Sequence, residues 1–185
     1  MKVLYLEWNS FGNEDMYEIF GKLGHVVIQL PFSDRPQDQK EVTERMMAKL
    51  DKENCDMVYS FNYFPFVSEC CKSLGISYVS WVYDSPYLNL YSYTVPNPCN
   101  YIFIFDYAQY EELWSNGIHT VYYLPMGVYM DRLDRVVGKT KGQKYISDIS
   151  FVGSLYTEKK HRLYDKFQSA DGFTKGYLDG IIQAQ

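Results

Sequence analysis

Apolar and polar positions along the chain alternate between two periods. Residues 2–6 (KVLYL), 25–30 (HVVIQL), 56–61 (DMVYSF), 76–83 (ISYVSWVY), 101–105 (YIFIF) and 119–124 (HTVYYL) are short β-branched or aromatic runs of strand length. Between them, apolar residues recur at helical spacing. Met16, Ile19, Phe20 and Leu23 mark one face, Val42, Met46, Met47 and Leu50 a second, and Phe64, Val67, Cys71 and Leu74 a third. Gly24 closes the first helix, Pro65 opens the third and Gly75 ends it. Asp106 with Gln109 three residues on predicts a capping box at the head of a helix that ends at Gly117. Residues 31–36 are a loop.

Strand–helix alternation with short links predicts an α/β fold, a Rossmann-like parallel sheet with helices on both faces. Parallel strands need crossovers, and helices supply them. Ligands of such sheets sit beyond the carboxyl ends of the strands. That rule selects the loops at residues 8–12, 62–63, 84–87, 106 and 125–127. With 185 residues the chain has room for one domain, or for one and the start of another.

Charge divides the chain. Residues 1–125 carry 8 Lys or Arg against 16 Asp or Glu, and residues 126–185 carry 10 against 7. From Ser73 to Asp131 there is neither Lys nor Arg, which leaves no cationic track for a nucleic acid, and 11 of the 19 tyrosines fall in that stretch. Tyr and Trp rings that combine apolar area with a polar tip suit carbohydrate and other polyhydroxylated ligands, although core packing accounts for most tyrosines. No apolar run approaches the roughly 20 residues that span a bilayer. Glu7 interrupts the N-terminal run too early for a signal peptide. The four cysteines form no C-x-x-C and no metal-type grouping with the three histidines, so free thiols in a cytoplasmic setting are expected.

Motifs exclude several chemistries. G-x-G-x-x-G, the P-loop, G-x-S-x-G, H-E-x-x-H and D-x-D are all absent, so dinucleotide oxidoreductase, P-loop ATPase, serine-hydrolase, zincin and metal-diphosphate readings have no motif behind them. Asp84, at a strand end before Ser85 and Pro86, is either an Asx-turn former or a ligand-hydroxyl acceptor and general base. Asp106 is a helix cap. Late in the chain, a strand at 149–152 leading into Gly153 and a Lys/Arg-bearing helix start is either an anion site, because unpaired N–H groups and the helix dipole point at a ligand, or a plain βα turn with a solvated basic face.

Two segments, LPMGVYMD (124–131) and DISFVGSLYTEKKHR (148–162), resemble the hinge region of two-domain GT-B glycosyltransferases. Together with WVYDSP (81–86) and YIFIFD (101–106) they look like the spore-maturation, CgeB-like branch of that superfamily, whose N-terminal part is classed as a domain of unknown function. The resemblance covers nearly the whole chain. It implies that residues 1–128 are a Rossmann-like acceptor-binding domain, 129–147 a linker, and 148–185 the start of a truncated donor-binding domain. It also implies a nucleotide-sugar donor, a carbohydrate or glycosylated acceptor, and no metal. Gly153 matches the donor-phosphate turn glycine, Lys159 or Lys160 the phosphate-contacting lysine, and Ser154 stands where an Arg is common. On the acceptor side the expected cleft residues are Ser10, Phe11, Gly12, Asn62, Tyr83, Ser85 and Gly127, with Asp84 as the catalytic group. A stand-alone flavodoxin-like ligand-binding or regulatory module without catalysis is the alternative.

Overall fold

A computed structural model describes residues 1–33, 39–140, 142, 147–153 and 171–184. The elements run β1 (Lys2–Glu7), α1 (Asn13–Lys22), β2 (Val26–Pro31), α2 (Gln39–Glu53), β3 (Met57–Phe61), α3 (Pro65–Leu74), β4 (Ser77–Val82), a 3-10 turn (Leu88–Tyr91), β5 (Asn100–Ile104), α4 (Tyr107–Ser115), β6 (Val121–Tyr123), α5 (Met130–Thr140) and α6 (Gly172–Ala184). All six strands join one sheet in the order β2-β1-β3-β4-β5-β6, and every pairing is parallel. Among the described residues no helix is long and apolar enough to cross a membrane. The chain divides into two compact units, Met1–Lys139 and Thr140–Gln185.

The period-two pattern of the strands becomes two buried faces. Leu4, Leu6, Val58, Tyr78, Val82, Ile102 and Ile104 point to one side, where Met46 and Leu50 of α2, Val67 and Cys71 of α3, and Leu113 of α4 cover them. Val3, Tyr5, Tyr59, Phe61, Val79 and Trp81 point to the other, against Met16, Tyr17 and Phe20 of α1. The chain therefore has the expected Rossmann-like α/β architecture. Its strand order reverses between β1 and β3, because β2 lies to one side of β1 and all later strands to the other.

Gly75 takes the left-handed conformation that closes α3 (φ 68°), and Gly24 does the same after α1 (φ 74°). Since α1 stops at Lys22, Leu23 falls outside the helix and stays exposed. Met47 is exposed as well, because it lies about 100° round the helix from Met46 and misses the buried stripe of Val42, Met46 and Leu50. Asp106 caps α4, its Oδ1 accepting from the Ala108 and Gln109 N–H groups at 2.9 and 3.3 Å. The box is only half made: Gln109 donates instead to the Tyr87 carbonyl at 3.3 Å.

Two features depart from the sequence reading. The segment expected as a linker from residue 129 opens with α5, and the first compact unit runs to Lys139 instead of 128. Residues 149–152 form no strand. Ile149, Phe151 and Val152 are exposed, and among the described residues no strand pairs with them, which a β conformation requires. The connection from β4 to β5 holds only one 3-10 turn and is stitched internally by side chains. Buried Asn100 donates to the carbonyls of Thr94 and Val95 (2.9 and 3.0 Å), Tyr63 pairs its hydroxyl with Thr94 (2.7 Å), and Asn97 donates to Ser68 (3.0 Å).

Candidate functional site

The loop after β1 is shaped by its own side chains. The Trp8 indole N–H donates to the Phe61 carbonyl (2.7 Å), which ties the loop to the end of β3. Asn13 donates to the Trp8 carbonyl (2.8 Å) and accepts from the Tyr5 and Ser10 hydroxyls (2.9 and 2.6 Å). Gly12, which precedes α1, lies directly against the Phe61 ring. A Cβ there would sit 2.4 Å from Phe61 Cζ, so the close approach of loop and ring needs glycine.

Beyond this loop a cavity of about 510 Å³ opens on the α1 side of the sheet, at the carboxyl ends of its strands. Six rings line it: Phe11, Phe61, Trp81, Tyr83, Phe105 and Tyr129. Met16, Ile19, Met126 and Val128 add aliphatic surface, and Asp15 and Arg132 supply its charges. The rings support one another: Phe61 stacks on Trp81 (centroids 6.1 Å apart) and meets Tyr83 edge-on (5.6 Å), and Tyr83 stacks on Trp8 (5.9 Å). Behind them the Tyr59 hydroxyl and the Trp81 indole N–H are buried with no hydrogen-bond partner among the described residues, and burial pushes the Tyr59 phenol far above its ordinary value.

The far wall comes from the start of α5, which charge holds against α1. The Arg132 Nε donates to Asp15 Oδ1 (2.7 Å), Arg135 makes a two-pronged contact with Glu18 (2.9 and 3.2 Å), and Lys22 pairs with Asp131. Lys22 and Arg135 also lie over the Tyr129 ring, at 5.0 and 6.0 Å from its centre. The hydrogen bond from Arg135 holds the Glu18 carboxyl down to about 2, and that from Lys22 lowers Asp131. Met130 and Leu133, on the same helix, remain exposed. The helix docks by its charges rather than its apolar stripe.

Of the expected cleft residues, Phe11, Gly12, Tyr83 and Gly127 do line the cavity; Ser10, Asn62, Asp84 and Ser85 do not. Ser10 donates to Asn13, and Ser85 donates to Asp106. Asn62 is buried in the left-handed region (φ 57°), donates to Asp84 Oδ2 (2.7 Å) and accepts from the Tyr83 N–H (3.1 Å). Asp84 is exposed, one residue along the chain from the lining Tyr83, and among the described residues it is braced by that amide rather than by backbone N–H groups. Gly153 is described and exposed, with no strand leading to it; Ser154, Lys159 and Lys160 lie outside the described residues.

Sequence reasoning missed Phe61, Trp81 and Phe105 as site residues, although their signal was present. Tyr59 and Phe61, Trp81 and Tyr83, and Phe103 and Phe105 are aromatic pairs spaced by two, so each pair shares one face of the sheet. Asp15, Tyr129 and Arg132 had no such signal, because they meet only through the packing of α5 on α1. Among the described residues no group of His, Cys, Asp and Glu could hold a metal ion. Fold and cavity define an α/β protein with a Rossmann-like sheet and a ring-lined pocket at its switch point. No family model, curated protein or solved structure matches the chain.

Proposed function

We propose that the chain is the acceptor-binding part of a glycosyltransferase that moves a sugar from a nucleotide-sugar to an acceptor seated in the ring-lined cavity. One observation carries this reading: the cavity lies at the carboxyl ends of a parallel sheet, where its strand order reverses, and four residues expected to touch the acceptor line it. The resemblance of the 124–131 and 148–162 segments to a GT-B hinge supplies the reaction class.

In that reaction the acceptor hydroxyl attacks the anomeric carbon as the bond to the nucleoside diphosphate breaks, and the hydroxyl proton passes to a base. Asp84 is the proposed base. It follows the lining residue Tyr83 in the chain, is exposed, and takes one hydrogen bond from Asn62 on Oδ2, which leaves Oδ1 to serve an acceptor hydroxyl. Gly153, Ser154, Lys159 and Lys160 are the proposed diphosphate contacts, replacing a metal with positive charge. Four free thiols accord with a cytoplasmic setting, where nucleotide-sugars are made.

The test is release of nucleoside diphosphate from a panel of nucleotide-sugars by the natural full-length protein, in the presence of acceptor extracts. Acceptor-dependent release that Trp81→Ala abolishes is the expected result; its absence across the panel overturns the reading. Containment of the cavity within residues 1–139 favours one second reading, a ligand-binding module without chemistry. That module would bind in the cavity and release no diphosphate.

A further inference from the structure

The cavity is poor in hydrogen-bonding groups. Of its lining side chains only Tyr83 and Tyr129 carry hydroxyls, and the Trp81 indole N–H is buried out of reach. A bare sugar seated deep inside would leave several hydroxyls without partners, a costly exchange for their water. A flat apolar body would lose nothing polar and gain ring contacts on several sides.

Arg132 adds the second property. Its Nε is spent on Asp15, and among the described residues neither terminal nitrogen has a partner. The guanidinium is thereby fixed along one edge, with its outer fork open, and that fork matches the two oxygens of a carboxylate or phosphate. Asp15, which lines the same cavity, is engaged through Oδ1 by the Arg132 Nε, and the charge of Arg135 is close enough to act on Arg132.

We propose that the cavity takes a ligand with a planar aromatic body and one anionic group, the rings holding the body and the outer fork of Arg132 the anion. This rests on the cavity being the acceptor's place, and it replaces a bare carbohydrate with an anionic aryl acceptor. Calorimetric titration of the 185-residue chain with 1-naphthaleneacetate, its neutral isostere 1-naphthaleneacetamide, and maltose tests it. The acetate should bind about tenfold more tightly than the amide in low salt, the usual advantage of a charge-assisted fork. In Arg132→Gln the two should bind alike. Arg132→Lys, which keeps the charge without the fork, should restore only part of the gap. Equal binding of acetate and amide to the unmodified chain, or a gap that survives in Arg132→Gln, overturns the proposal. Maltose binding without either naphthyl compound overturns it while leaving the acceptor reading intact. Acetate binding by a full-length protein that releases no diphosphate sinks the acceptor reading and leaves this one standing. Failure of all three ligands to bind overturns the proposal and leaves the acceptor reading to the diphosphate-release test.

Discussion

Gly12→Ala tests whether the loop after β1 and the cavity floor are one mechanical unit. The backbone at Gly12 is unstrained (φ −97°), so alanine meets no conformational penalty there. The obstacle is the Phe61 ring, with Cζ at 2.4 Å and Cε2 at 2.7 Å from the new methyl. Restoring van der Waals separation takes a shift of about 1–1.5 Å. Trp81, Tyr83 and Tyr59 hold the ring on their sides, which leaves the cavity as the direction of escape. Overpacking of this kind costs about 1–3 kcal/mol. For a unit of this size that is a fall of roughly 3–10 °C in Tm, measured by circular dichroism. The displaced ring also narrows the cavity, so 1-naphthaleneacetate should bind several-fold more weakly. Phe61→Leu removes the ring tip that clashes, and Gly12→Ala in that background should cost much less than in the parent. Additive losses in the double variant would refute the reasoning, since contacting residues must couple.

Further outcomes follow from other contacts. Glu18 and Asp131 have their carboxyls lowered by partners on the opposite helix, so the docking of α5 is at full strength above about pH 4.5 and is lost as pH falls toward 2. Hydrogen exchange across residues 130–139, corrected for intrinsic rates, should be faster at pH 3 than at pH 6, and Glu18→Gln should shrink the difference; an unchanged profile would mean that charge does not hold the helix. High salt should loosen the same segment at neutral pH, because these pairs are exposed and screened. Asn100→Ala removes two buried hydrogen bonds beneath the β4–β5 connection, while the Thr94 carbonyl keeps the Asn97 N–H and Ser68 hydroxyl and the Val95 carbonyl keeps the Thr120 hydroxyl, so it should cost about 1–3 kcal/mol in urea unfolding; a loss below about 0.5 kcal/mol, on the order of a surface change, would show these two bonds to be dispensable. Asp84→Asn in the full-length protein should lower kcat by about 10²–10⁴-fold with Tm nearly unchanged, whereas lost stability at unchanged kcat would make Asp84 a loop former.

The strands and helices were legible because their signals are local. A run such as KVLYL or the Met16–Ile19–Phe20 stripe carries its period within a few residues, and Gly24, Pro65, Gly75 and Asp106 mark element ends by backbone chemistry that needs no distant partner. Six strands, all but β4 and β5 separated by a helix, then leave few arrangements other than a parallel sheet. The 149–152 segment shows the limit of local reading: an apolar run of strand length becomes a strand only when another strand pairs with it, and sequence cannot supply the partner.

The site divides along the same line. Phe11, Gly12, Tyr83 and Gly127 were found because sheet topology alone places strand-end loops around a ligand. Asn62 and Asp84 share that address, yet hydrogen-bond to each other beside the cavity, a choice made by the left-handed turn at Asn62. Sequence by itself determined the parallel sheet, its order of events along the chain and the loops where a ligand belongs, since each follows from period and turn chemistry. Only tertiary structure brought Arg132 to Asp15 across 117 residues and turned the charged side of α5 inward, because the meeting of two helices depends on where the whole sheet delivers them.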